Sequence, residues 1–387
     1  MFIGLLAVSG FVYAMHIMNV RDQNQRNTNY LSVRREYWGE VDLRSEDDML
    51  SALNDLSADY PDAYYYLGRL YERKNDSDTA LSYYNDGLDK GSLLALTGLG
   101  NMYLSGNGVE QDVIKAKEYF DNALFAGCKE ANYYEAYMWY NGLIPGEDPD
   151  PEKALEYAEA ALDSEDREIA ALTYLLKGDI RVDGYGGEAL AGDDAAEYFN
   201  NVKEDYPAFE SDSYCHLARC YYLNENYALA IDRYRKAAEL GNSYALKMVA
   251  DMTYEGLGTS MDEYSARIYY MQAGGFTESD EEPYMIREPG GYEDEGMYNR
   301  IGLTYFYDYD YQRAAYFFTL EAEVFGSVNG MGNAGMAYEN LMDWDNALKW
   351  YGAAIDAGHS DADRFRKRIQ IMVDDGLVDR ADAGKWI

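Results

Sequence analysis

Residues Ala95 to Gly127 read ALTGLGNMYLSGNGVEQDVIKAKEYFDNALFAG, and this stretch decides the fold. Its first half places Ala95, Leu99, Gly100 and Tyr103 on one helical face by three-to-four-residue spacing. Its second half does the same with Ala116, Tyr119, Phe120, Ala123 and Leu124. Between them, Gly106-Asn107-Gly108 supplies residues that accept positive φ, as a sharp reversal requires. Asp112 is placed to cap the second helix through its free N–H groups, and Gly127 to end it in a left-handed conformation. The stretch is one complete helix–turn–helix unit.

Working outward, variants of the unit recur from about Asp62 to Gly358. Each second helix carries a small residue, at Ala80, Ala116, Ala154, Ala195, Ala230, Ala266, Ala314 and Ala347. Three and four positions later stand Tyr83-Tyr84, Tyr119-Phe120, Tyr157-Ala158, Tyr198-Phe199, Arg233-Tyr234, Tyr269-Tyr270, Phe317-Phe318 and Trp350-Tyr351. Seven of these eight pairs begin with an aromatic, which chance does not produce. First helices carry a small residue at Gly68, Gly100, Ala136, Ala218, Ala250, Gly302 and Gly335. An aromatic follows at Tyr71, Tyr103, Trp139, Tyr221, Tyr305 and Tyr338. The unit from Leu172 to Tyr198 fits poorly, with Lys177 where a small residue is expected. The small residue lets two helix axes approach and the aromatic fills the adjoining hole. A unit this short buries its apolar face only by stacking on neighbours.

Leu99-Gly100-x-x-Tyr103, the Gly106-x-Gly108-Val109 loop and Ala116-x-x-Tyr119 together resemble a Sel1-like repeat, a close relative of the tetratricopeptide repeat. Gly68 to Ala80, Ala218 to Ala230, Gly302 to Ala314 and Gly335 to Ala347 use the shorter tetratricopeptide-like connection. The resemblance implies an all-α, right-handed α-solenoid of about eight repeats over residues 61–358. It further implies a non-catalytic scaffold or adaptor that grips a protein or peptide partner, often in membrane-associated complexes. Residues 45–60 are expected to form an N-terminal capping helix, with Ser45 as cap and Met49, Leu50, Leu53 and Leu56 inward. Residues 359–387 should hold a C-terminal capping helix, with Phe365, Ile369 and Met372 inward, and a tail.

Residues 1–20 are an apolar run that can just cross a bilayer. Arg21, Arg26, Arg34 and Arg35 follow it in the linker 21–44, which points to a membrane anchor with the repeats in the cytoplasm. The alternative is a cleaved signal segment and an exported, soluble repeat protein acting outside the cytoplasm. The acidic insert 276–296 contains Pro283, Pro289, Gly290 and Gly291 and should be loop, either disordered, packed over the array or in contact with a partner.

The chain has 387 residues, 33 Lys+Arg and 70 Asp+Glu, for a net charge of −37. That balance opposes counterion-release binding to nucleic acid and favours basic partners. Three cysteines and three histidines stand at no metal-ligand spacing, so neither metal nor cofactor is expected, and no small-molecule substrate is evident. Gly330-Met-Gly332-Asn-Ala-Gly335 satisfies the dinucleotide pattern, but it opens a repeat helix and Gly335 already has a packing role.

Binding is expected on the concave face, which such arrays use. Forty-one tyrosines outnumber the packing positions. In runs such as Tyr64-Tyr65-Tyr66, Tyr133-Tyr134 and Tyr221-Tyr222, adjacent side chains diverge by about 100°, so one must leave the core face. Tyr64, Tyr65, Tyr133, Tyr134 and Tyr222 are therefore the candidate partner contacts. Arg364, Arg366, Lys367 and Arg368 form a basic cluster on the terminal helix. It reads either as a docking patch or as a solvated face paired to acidic neighbours.

Overall fold

A computed structural model describes residues 45–387, apart from Glu165, Glu188, 280–284 and 288–290. The apolar run 1–20 and the linker 21–44 lie outside the described residues. No helix among the described residues is long and apolar enough to cross a membrane.

The chain divides into two compact units, Met1–His216 and Leu217–Ile387. In the first, α1 (Glu46–Leu56) precedes four helix pairs: α2 (Ala63–Arg73) with α3 (Ser77–Asp89), α4 (Leu93–Ser105) with α5 (Val113–Phe125), α6 (Ala131–Tyr140) with α7 (Pro151–Ala161), and α8 (Arg167–Val182) with α9 (Gly192–Asp205). The division falls within α10 (Glu210–Leu223). The second unit continues with α11 (Tyr227–Glu239). Three pairs follow: α12 (Ser243–Glu255) with α13 (Glu263–Gly274), α14 (Met297–Tyr307) with α15 (Tyr311–Phe325), and α16 (Val328–Asn340) with α17 (Trp344–Asp356). α18 (Ala362–Asp374) and α19 (Arg380–Ala383) close it. Within each unit, partners of a pair pack together, and each second helix packs on the first helix of the next pair.

The deciding stretch folds as its residues require. Asp112 accepts from the Lys115 N–H at 2.9 Å, and Gly106, Gly108 and Gly127 have φ of 73°, 72° and 93°. Ser45 caps α1 by accepting from the Asp48 N–H, and Met49, Leu53 and Leu56 are buried. Phe365, Ile369 and Met372 seat α18.

The notch between paired helices is the recurring contact. A Cβ at Gly178, Gly302 or Gly335 would lie 2.6, 2.6 or 2.5 Å from the ring of Phe199, Phe318 or Tyr351, respectively. Gly68 and Gly100 meet Tyr84 and Phe120 in the same way, and Gly98 of the following pair covers the other side of Tyr84. Gly178, not Lys177, is thus the small residue of the α8–α9 pair, one position beyond where the sequence reading put it.

The ring's far end selects what faces it. Tyr84 donates its hydroxyl to Glu72 at 2.7 Å, and Tyr351 donates to Glu339. Glu72 and Glu339 both lie four residues after the notch glycine. Where the ring is Phe120, Phe318 or Phe199, that position is Leu104, Phe306 or Val182, so no acid is left facing a ring edge. A buried hydroxyl without a partner costs more than an absent one.

The insert departs from the all-α expectation. β1 (Phe276–Glu278) pairs antiparallel with β2 (Met285–Arg287), Phe276 opposite Arg287. Phe276 and Met285 are buried, and the Phe276 ring meets Phe317 edge-on at 5.0 Å. The Tyr292 N–H donates to the Ala273 carbonyl at 2.8 Å, and Arg313 donates to the Ser279 carbonyl at 2.8 Å. The described part of the insert is therefore a hairpin packed over the repeats. Each strand is only three residues long and shows no apolar–polar alternation, so the sequence carried no strand signal there.

Gly302→Leu is expected to overpack the α14–α15 crossing at a cost on the order of 1–3 kcal/mol, measured by urea denaturation. Phe120→Tyr and Leu104→Glu should each destabilise by roughly 1–3 kcal/mol, while the double variant should be more stable than either. A double variant worse than both singles would refute the pairing of ring and facing residue.

Candidate protein-binding surface

In the first unit, the first helices close on one another. Tyr65 and Tyr66 of α2 are fully buried, with ring centroids 5.2 Å apart. Tyr66 donates its hydroxyl to Asp166 at 3.0 Å across 100 residues of sequence. Asp166 also caps α8, accepting from the N–H groups of Glu168 at 2.9 Å and Ile169 at 3.1 Å. Arg69 pairs with Glu168 and, at 2.9 Å, with Glu72, while Arg73 reaches Glu168 at 3.6 Å. Tyr134 stacks on Phe120 at 4.6 Å.

This arrangement corrects the expected contact set. Tyr65 and Tyr134 are 1% and 5% exposed, because α2, α6 and α8 converge where an open concave face was expected. They have no surface to offer a partner. Tyr64 and Tyr133 are half-buried, each beside another tyrosine, Tyr83 and Tyr134. Burial, with the nearby Glu168 charge, pushes the Asp166 carboxyl up to about 6.

The second unit keeps its first-helix face partly open. Lys247, Asp251 and Glu255 stand four residues apart along α12, on one face. Arg300 of α14 lies against them, with Nη1 2.7 Å from Asp251 and Nη2 3.1 Å from Glu255. The same Nη1 donates to the Tyr270 hydroxyl at 2.9 Å, and Tyr270 donates to Asp251. Lys247 bridges Asp251 at 2.9 Å and Asp294 at 2.6 Å. Burial works against the Lys247 ammonium, but its bonds to Asp294 and Asp251 outweigh that and hold its pKa above the ordinary value.

Half-buried tyrosines rim this network. The Arg300 guanidinium lies 5.4 Å from the Tyr254 ring centroid. Tyr222, the sequence candidate nearest to it, meets Tyr227 edge-on at 5.4 Å. The side chains of Glu255 and Arg300 are 43% and 33% exposed, so both reach solvent. The spacing of Lys247, Asp251 and Glu255 was legible, but Arg300 stands 45 residues beyond Glu255 and only packing brings it there.

The basic cluster is largely answered by neighbours. Arg366 pairs with Asp363 at 2.8 Å, Arg364 with Asp361 at 4.0 Å, and Arg368 with Glu339. Lys367 is exposed. The glycines of the dinucleotide pattern lie inside α16, with Gly332 against Phe365 and Gly335 against Tyr351. They serve packing. The three cysteines are free and buried.

Residues 62–86, spanning α2 and most of α3, match the tetratricopeptide repeat family. No curated protein matches the sequence significantly. Among solved structures, a Sel1 repeat protein from Oxalobacter formigenes is similar at 18% identity, over 82% of this chain and 90% of that one, with a TM-score of 0.45. A protective antigen of uropathogenic Escherichia coli strains with an SLR fold is similar at 20% identity, over 87% and 78%, with a TM-score of 0.35. A human IFIT1 dimer with PPP-AAAA is similar at 14% identity, over 81% and 69%, with a TM-score of 0.43.

The raised Asp166 carboxyl makes a prediction about pH. The folded chain holds this proton more tightly than the unfolded chain, whose carboxyl titrates near 3.8. Its contribution to stability is therefore full below that value and is lost as pH rises through about 6. Asp166→Asn keeps a cap acceptor but carries no charge. It should gain on the parent by on the order of 2 kcal/mol between about pH 4 and pH 7, read from denaturation curves. A constant difference across that range would contradict the assignment.

Proposed function

We propose that this array of Sel1-like and tetratricopeptide-like repeats is a non-catalytic scaffold that grips a protein partner on the first-helix face of its second unit. The observation that carries this reading is the half-open tyrosine rim, Tyr222 and Tyr254, around the Arg300–Asp251–Glu255 network. In the first unit the corresponding residues are spent on contacts between the chain's own helices.

The chemistry suits recognition. Tyrosine gives contact area with little loss of rotamer freedom and is enriched among residues that dominate binding energy. Arg300 is already held by Asp251, Tyr270 and Glu255, so little entropy is lost in ordering it against a partner. Glu255 offers a carboxylate beside it for a basic group. The −37 charge of the whole chain favours basic protein surfaces over nucleic acid. In this reading residues 1–20 tether the scaffold to a membrane, with Arg21, Arg26, Arg34 and Arg35 retaining the repeats in the cytoplasm. Protease added outside spheroplasts should then leave the repeats intact, and their digestion would reverse that orientation.

Affinity capture with the full chain from its native membrane should return a protein partner. Tyr254→Ala should weaken the purified pair by roughly 2 kcal/mol, about thirtyfold, at a temperature where circular dichroism shows the variant still folded. Unchanged affinity in Tyr254→Ala and Tyr222→Ala would remove this face from the interface.

A further inference from the structure

Among the described residues, four other than glycine have positive φ: Asn75, Glu225, Tyr309 and Met342, at 57°, 58°, 65° and 58°. Each occupies the same place, two residues past a first helix in a short turn. The N–H that follows it bonds back to the helix: Asp76 to Tyr71, Asn226 to Tyr221, Asp310 to Tyr305 and Asp343 to Tyr338. The turn geometry explains the backbone but not the side chains. Asparagine and glycine suit this region, whereas tyrosine and methionine are strained in it. Tyr309 and Met342 are nevertheless 78% and 74% exposed, so no burial offsets the strain.

They are not isolated. Tyr307, Tyr264 and Met261 are 63%, 62% and 65% exposed on the neighbouring turns. Arg267 joins these turns: it pairs with Asp308 at 2.6 Å and lies 5.1 Å from the Tyr264 ring. α14 and α16 pack together, both pack on α15, and both end in this same turn, so Tyr309 and Met342 hold corresponding places at the ends of neighbouring helices. Carboxylates punctuate the strip at Asp262, Glu263, Asp308, Asp310 and Asp343, while Arg267 and Arg313 are engaged by Asp308 and Asp310. The matching turn of the first pair carries Asn75 and no exposed large apolar residue.

We infer that this turn edge of the second unit, centred on Tyr309 and Met342, docks an amphipathic segment of a partner protein whose apolar face is flanked by lysine or arginine. Apolar tips take the apolar face, and Asp262, Glu263 and Asp343, beside the arginine-engaged Asp308 and Asp310, take the flanking cations. The edge does not depend on the Arg300 face, which separate variants test.

The test uses the full chain and a fluorescent leucine–lysine peptide patterned as an amphipathic helix. Saturable one-to-one binding is expected, weakening as salt rises. Tyr309→Asn with Met342→Asn should weaken it by about tenfold, an effect typical of losing central contacts. The melting temperature should not fall, because asparagine relieves the strained φ. Phe125→Asn, which removes a still more exposed ring in the first unit, should bind as the parent does. Equal affinity in the double variant, or equal binding of a scrambled peptide of the same composition, would overturn the proposal. So would self-association of the parent that the double variant abolishes, since a second copy would then be the occupant.

Discussion

The rest of the structure depends on a ring seated in a notch: in five pairs the aromatic of a second helix lies where its partner helix has a glycine. With a Cβ at Gly302 the Phe318 ring would have to move, and with it the crossing of α14 on α15. The close approach costs the conformational freedom that glycine carries into a helix, and the dense packing of a large flat side chain offsets it. Because Tyr84 is gripped by Gly68 of its own pair and Gly98 of the next, the same contact also stacks one repeat on another. Local pairing and array assembly are thus one interaction.

A polar layer is laid over this apolar one. Where the ring ends in a hydroxyl, a carboxylate receives it, and the carboxylate in turn gathers cations: Glu72 gathers Arg69, and Glu339 gathers Arg368. Arg300, Asp251 and Tyr270 repeat the theme in the second unit. The difference between the units lies in where these charges are directed. In the first, Arg69 and Tyr66 reach Glu168 and Asp166 and shut the space between α2 and α8. In the second, the network remains at the surface, flanked by tyrosines. One repeat chemistry therefore yields a closed face and a half-open one, and the half-open one supports the proposed binding role.

The departures from the repeat follow ordinary energetics. The insert buries Phe276 and Met285 and pairs its own backbone as a hairpin, while Glu278, Glu293 and Glu295 stay exposed on this packed element. The basic residues of α18 answer acids on the same helix and on α16, as surface charges commonly do. At the turn edge, by contrast, Tyr309 and Met342 stand unburied among carboxylates.

The sequence by itself determined the repeat and most of its local devices: the notch residues, the Asp112 and Ser45 caps, the left-handed Gly127, and the inward faces of the two capping helices. These depend on residues within one or two turns of each other, where spacing fixes geometry. Tertiary structure alone decided the division within α10, the hairpin in the insert, and the fate of each tyrosine. Tyr65 and Tyr134 are buried because α2, α6 and α8 converge, and Arg300 meets Asp251 because α14 packs beside α12. In stacked repeats such outcomes depend on the small rotation from each repeat to the next. No residue encodes such a rotation alone, because each is the sum of every ring, notch and hydroxyl that precedes it.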